Sequence, residues 1–340
     1  MCRYVFRCKS FNQPIKIPDS VENCSGMFAV CESFNQPVVI PDTVKDCSEM
    51  FLNCHHYNQP TVIPQNGFVR GMFAYCKSFN QPINIPNDVE ICAYMFDHCE
   101  SFNQSIIIPE SAVNCACMFR GCISFNQSIK IPNSVKVCRG IFEDCESFNQ
   151  PIIIPEDACD CNGMFKGCAS FNQPVNIPEG VDDCSGMFEG CMYLNSPIMM
   201  SKKIRNCRRM FAYCKSFNRL IEIPEKATNC AEMFRGCISF NQLISIPEGV
   251  IDCSFMFYCC YKFNQAIVLP NSLRKAQAMF TQCYSLKQLI TVPGGVIERT
   301  DMFYLSGCSD DMIVTKNYIG PFSVGDNKHT TPLEFIFDVD

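Results

Sequence analysis

The residues in this chain that could do chemistry are the cysteines. There are 28 of them in 340 residues, with four histidines and no tryptophan. Cysteine in such number could form disulfides, hold a soft metal or supply a nucleophile, and position discriminates among these. Thirteen recur in one register, from Cys8, Cys31 and Cys54 to Cys283. Eleven recur in a second, from Cys2, Cys24 and Cys47 to Cys253, leaving Cys117, Cys159, Cys259 and Cys308. The two registers are seven residues apart, about 10 Å along a helix axis, which is beyond the Cα separation a disulfide spans. Within one register, stacked cysteines would come near bonding distance, but with their side chains running parallel. No CxxC pair occurs, so zinc-type ligation has no signature. A nucleophilic thiol needs a base beside it, and His98 and His329 have no evident partner. There is no phosphate-binding loop, GxSxG elbow, HExxH or EF-hand loop. Both registers therefore read as small buried hydrophobes. Reduced thiols in such number predict a reducing compartment; the alternatives are a ladder of disulfides in a secreted protein, or metal binding. No enzyme activity, metal or cofactor is expected.

What positions these residues is a repeat. The segment FNQPIKIPDSVENCSGMFAVCES, Phe11 to Ser33, recurs from starts at Phe11, Phe34, Tyr57, Phe79, Phe102, Phe125, Phe148, Phe171, Leu194, Phe217, Phe240, Phe263 and Leu286. Each step is 23 residues except Tyr57 to Phe79, which is 22. A fixed period of this size marks a solenoid. Counting the Phe as position 1, positions 5 and 7 are aliphatic (Ile15 and Ile17, Ile152 and Ile154) while position 6 varies, the period-2 pattern of a strand with one face buried. Prolines at positions 4 and 8 bracket it, because proline cannot donate to a ladder. Asp19-Ser20, Asp42-Thr43 and Asn133-Ser134 then read as helix N-caps. Val21, Cys24, Met27, Phe28 and Cys31 follow on one face of a helix or tight turn, with Ser25-Gly26 favouring a short or 3-10 form. No such unit can bury its apolar face alone, but stacked copies can. The expected fold is a repeat solenoid, leucine-rich-repeat-like, with one short parallel β-strand per repeat on one face and short helices or 3-10 turns on the other. Residues 1–308 make the solenoid of about thirteen repeats, and residues 309–340 a non-repeating cap or anchor.

Asn fills position 2 in every copy but the last, where Lys287 stands, and Gln fills most of position 3. Such a column can bond backbone groups of the neighbouring coil that would otherwise be orphaned; the functional alternative is a row of ligand-binding amides. The run Met27-Phe28 to Cys31, Ser33-Phe34-Asn35-Gln36 resembles the MF-x-x-C-x-S-F-N-Q repeat of the BspA-like leucine-rich repeat family. The segments Ile15 to Val21 and Ile129 to Val135 look like that family's other branch. FNQPI with IP is also similar to the FNIP repeats of amoebae and giant viruses. The resemblance covers about residues 1–308. It implies a leucine-rich-repeat-like solenoid with a binding or surface role and no catalytic residues. The chain departs from surface members in showing no secretion signal and in its cysteine content.

The remaining features concern partners. Net charge is −6 and pI about 5.4, which argues against nucleic acid as the main partner. No apolar run is long enough to span a bilayer, and none reads as a signal segment. A cytoplasmic or virus-associated location is expected, with the cell surface as the alternative. The chain starts in mid-repeat, Val5-Phe6 matching Met27-Phe28, and an open first coil carries a risk of end-to-end self-association. The short repeat at Tyr57, with His55 and His56 in its turn, predicts a local kink. Lys202, Lys203, Arg205, Arg208 and Arg209 form one basic cluster, either a solvated face or a docking patch for an acidic partner. Ile313-Val314, Tyr318 to Phe322 and Phe335 to Val339 look like short strands, with a turn at Gly325-Asp326. The variable row at position 6 is the candidate binding surface: Val39, Val62, Asn84, Ile107, Lys130, Ile153, Asn176, Met199 and Glu222, in a series that opens at Lys16 and ends at Ser245, Val268 and Thr291. It is more apolar than a monomer needs, so a protein partner, of identity not given by the sequence, is expected there. The alternative functions are neutral drift on this face and a structural or surface rod.

Overall fold

The computed structural model describes residues 5–65 and 67–315. Within them the chain winds as stacked parallel coils, one repeat to a coil. Strands β1 (Val175–Asn176) and β2 (Ile198–Met199) pair in parallel, as do β3 (Ile290–Val292) and β4 (Ile313–Thr315), each at a 23-residue offset. The repeat's register thus continues into residues 313–315, after a short 3-10 turn at Asp310–Met312. In the other coils the Ile-x-Ile segment keeps its alternation without an assigned ladder: Ile152 and Ile154 are buried and Ile153 between them is 86% exposed. Parallel bridges run instead through position 13, as in Asn23↔Asp46, Asn114↔Val137 and Asn206↔Asn229.

The opposite side of each coil takes the turn form rather than the helical one. Met27, Ala29 and Cys31 donate N–H to the carbonyl three residues back, while Cys24, Gly26, Phe28 and Val30 donate to Asp46, Ser48, Met50 and Leu52 of the next coil. The alternation is possible because positions 16 and 20 are left-handed: Gly26 and Val30 have φ of 60° and 68°. A left-handed residue stops helix propagation, so the apolar residues spaced three and four apart sit on two successive tight turns. Non-glycine residues such as Tyr94 and His98 also adopt this conformation, held there by the bonds to the next coil. The Asp-Ser and Asp-Thr pairs after the proline cap no helix. Val21 N–H closes a turn onto the Pro18 carbonyl, and the hydroxyls of Thr43 and Ser111 donate to the Val21 and Val89 carbonyls of the coil before.

Stacking builds a continuous core. Phe28 lies 4.3 Å from Phe34 and 5.6 Å from Phe51, centroid to centroid, and the same pair of spacings repeats along the rod. Offset stacks are worth about 0.5–1.5 kcal/mol beyond burial, so each ring depends on rings supplied by the neighbouring coils. Tyr57 enters this column because its hydroxyl bonds Thr61 Oγ1 at 2.7 Å. The position-2 amides act structurally. Asn126 Oδ1 accepts the Asn149 backbone N–H and the Gln150 side-chain amide at 3.0 and 3.1 Å, and Asn126 N–H donates to Asn103. The short coil keeps these columns, with Asn80 N–H on Asn58 Oδ1 at an offset of 22. Its irregularity falls on the position-13 bridges, which run Asp46↔Phe68 and resume at Ile91↔Asn114. They also lapse between Asp160 and Asp183.

The cysteines complete the core. Every described cysteine is free, and all are buried except Cys8, Cys159 and Cys259. Position-21 thiols donate to the Phe carbonyl of the coil before, as in Cys54 to Phe28 and Cys122 to Phe96 at 3.0–3.1 Å. Burial raises these thiols, and in the second register it raises Cys47 too, which with the neighbouring Cys24 and Asp46 is pushed up to about 12.

Two outcomes follow from these contacts. Asn126→Ala removes the acceptor for two donors and should lower stability by about 1–3 kcal/mol in denaturant melts, with Asn126→Asp, which keeps an acceptor oxygen, costing less. At pH 8 a disulfide-exchange reagent should label Cys8 and Cys159 quickly and Cys259 more slowly. The buried thiols should react only on unfolding; Cys2 lies outside the described residues.

Candidate functional site

Two faces of the rod carry side chains that are not consumed by the core. On the strand face, positions 5 and 7 point inward and the two prolines fix the ends of the segment, so position 6 must point out. Val39, Val62, Ile107 and Ile153 are each at least four-fifths exposed, and Met199 is 62% exposed. Asn84, Lys130, Asn176 and Glu222 are exposed in the same row. Coil stacking brings all nine into one line, one residue per coil. The line does not converge on a point, so its geometry offers a surface rather than a reaction centre. Lys130 makes an exposed ion pair with Glu110 at 2.7 Å. A shallow groove crosses Ile153, Val175, Asn176 and Met199, with Glu156 on its rim. Leu220, Leu243 and Leu289, which replace proline at position 4, widen the apolar stripe; the sequence held that signal, in leucines standing where proline recurs.

The turn face carries charge that reading along the chain did not find. Down position 19 the residues are Asp97, Arg120, Glu143, Lys166 and Glu189, alternating in sign coil by coil. Like charges one coil apart would repel, whereas these pair. Arg120 grips the buried Asp97 with two bonds of 2.8 and 2.6 Å, and Lys166 reaches Glu143 at 2.8 Å. His98, for which the sequence showed no partner, places Nδ1 2.7 Å from Asp97 Oδ1 and stacks on Tyr75 at 4.5 Å. Farther along, Glu232 meets Arg208, Arg209 and Arg235 at 2.9–3.3 Å, and Arg209 also reaches Glu189 at 3.1 Å. Arg235 lies 5.1–5.7 Å from the rings of Tyr213, Phe255 and Tyr258. The basic cluster therefore divides: Arg208 and Arg209 are neutralised within the fold, while Lys202, Lys203 and Arg205 are exposed with no ion pair among the described residues.

Burial raises the Asp97 carboxyl, but hydrogen bonds from His98 and Arg120 and their charge outweigh it, leaving it below the usual carboxylate range. Glu232 follows the same balance, with its arginines winning over burial. Asp144 and Glu189 go the other way, raised chiefly by burial. Among the described residues no group of three or more His, Cys, Asp or Glu could hold a metal ion, and no helix is long and apolar enough to cross a membrane.

The family described as "Mycoplasma protein of unknown function, DUF285" matches residues 1–63, 65–108, 113–223, 156–244 and 182–292. No curated protein matches the chain. Among solved structures, a leucine rich cell surface protein from Faecalibacterium prausnitzii is similar at 21% identity and a TM-score of 0.54, covering 82% of this chain and 86% of that one. A leucine-rich repeat protein from Eubacterium ventriosum matches at 12% identity and a TM-score of 0.48, over 88% and 83% of the two chains. One from Bacteroides ovatus matches at 18% and 0.40, over 90% and 91%. The first likeness is one of fold, that of a leucine-rich repeat solenoid.

The turn-face charges predict a biphasic acid response. Asp97 and Glu232 have folded pKa values below their unfolded ones, so their stabilisation is full at neutral pH and is lost as pH falls through the folded values. Asp144 and Glu189 have folded values above the unfolded ones, so protonating them relieves a cost. Denaturation midpoints should hold or rise from pH 7 to about 5 and fall below about pH 4. Arg120→Ala, which leaves the buried Asp97 with His98 beside it and no arginine, should cost about 2–4 kcal/mol and flatten the acid limb of that profile.

Proposed function

The chain belongs to the DUF285 family, and we propose that it is a non-enzymatic interaction module that binds a protein partner through its strand face. One observation carries this reading: the position-6 row exposes Val39, Val62, Ile107 and Ile153 almost fully, along one line, on a backbone whose flanking residues are buried. Covering water-exposed aliphatic side chains is favourable, and a row of them, interrupted by Asn84, Lys130 and Asn176 and spaced by the coil repeat, suits an extended protein surface. Val39, Val62, Asn84, Ile107, Lys130, Ile153, Asn176, Met199 and Glu222 are the contact residues in this proposal. Residues 309–340 serve it as a cap or anchor for the last coil.

A second reading is a structural rod at a cell or virion surface. The description of the Faecalibacterium neighbour as a cell surface protein favours it, and the column of hydrogen-bonded thiols favours the interior of a cell. One experiment separates the two functions. Val62, Ile107 and Ile153 are changed together to Glu in the full chain, with unchanged denaturation to show that it folds. A partner retained by the parent and released by the triple variant supports the interaction module. Equal retention overturns it, and loss of assembly only on removing residues 309–340 points to the rod.

A further inference from the structure

We propose that the strand face is self-complementary and that its partner is a second copy of this chain, laid face to face and antiparallel about a two-fold axis through Asn176. The inference rests on the binding-face reading and goes beyond it by naming the partner. The central row reads Lys130, Ile153, Asn176, Met199, Glu222, one residue per coil, all exposed. A two-fold axis along the strand direction reverses the rod while keeping each strand's direction. Lys130 of one copy then meets Glu222 of the other, Ile153 meets Met199, and Asn176 meets its own counterpart. An isologous interface requires this kind of pairing, in which each contact occurs twice.

The rim agrees independently. Positions 9 and 10 lie beside the row, and Glu156 lines the same groove as Ile153, Asn176 and Met199. The same axis sets Glu156 against Lys202 and Asp157 against Lys203 of the second copy. All four are exposed, and none has an ion pair among the described residues. An apolar centre inside a charged rim is the anatomy of a specific interface. Lys130 must give up its ion pair with Glu110, which is too exposed to cost much. The axis passes over β1 with β2 beside it, one of two parallel strand pairs among the described residues. Two contacts oppose the arrangement: Glu179 faces its own counterpart, with Lys202 of each copy one coil away, and Glu110 faces Glu248 three coils from the axis.

The test is sedimentation of the full chain over a range of concentrations at low and high salt. Parent protein should dimerise, less strongly as salt rises. Lys130→Glu and Glu222→Lys should each weaken the dimer about tenfold or more, because each creates two like-charged contacts. The double exchange should restore it, and Glu179→Gln should tighten it. A parent that stays monomeric up to about 100 µM, or a dimer indifferent to both single changes, overturns the proposal. The charge exchange tests only the register between copies, whereas glutamate at Val62 and Ile107 tests the face. A monomeric parent whose capture of another protein is still abolished by those glutamates overturns the dimer alone.

Discussion

Each coil hands its amides at positions 14, 16, 18 and 20 to carbonyls of the next, and the amides between them turn back on their own coil. This alternation fixes the rest. It forces positions 16 and 20 into the left-handed region and so forbids a helix. It also holds successive coils close enough for rings, amides and thiols to repeat in columns. A coil removed from the stack would keep only its own turn bonds, and those cannot offset the entropy of ordering 23 residues. The cooperative unit is therefore the contact between coils rather than the coil.

The cysteine content is a consequence of that contact. Position 21 must fit beneath a phenylalanine carbonyl of the preceding coil, in a space with no water. Alanine would leave the second lone pair of that carbonyl unmet, and serine would bury a more polar group. A thiol is small, apolar and still able to donate, and it donates at 2.9–3.1 Å from Cys54 to Cys283. Burial raises these thiols and so keeps the sulfur protonated while it donates.

Much of this was legible in the sequence because the core is written in columns. The period, the buried residues at positions 1, 5, 7, 14, 18 and 21, the exposed row at position 6 and the structural asparagines could all be read from residue type and spacing. The turns were harder. Val21, Cys24, Phe28 and Cys31 are spaced as on a helix, and a helix and two tight turns present the same residues inward. The sign that separates them is glycine at two positions, 16 and 20. It is visible in Gly26, Gly71 and Gly121 but masked at other positions by Tyr94, His98 or Val30, which take the same conformation. The charged column was hidden for another reason. Asp97 and Arg120 are 23 residues apart, and their alternation emerges only when one position is read down the stack. His98 gains its partner from the adjacent Asp97, whose burial the local sequence does not announce.

The two faces solve the problem of repetition in opposite ways, and the difference bears on function. Any side chain in a stacked rod has its counterpart one coil above and below. On the turn face the charges satisfy each other within the molecule, Asp97 with Arg120, Glu143 with Lys166 and Glu189 with Arg209. Position 6 shows one internal pair, the exposed one of Lys130 with Glu110, and leaves Glu222 without an ion pair among the described residues. Lys130 and Glu222 stand four coils apart with Ile153, Asn176 and Met199 between them, too far to neutralise one another along the rod. The aliphatic residues between them remain in water. In the proposed dimer a reversed copy exchanges the exposed Lys130–Glu110 pair for one with Glu222 and covers the aliphatic residues between.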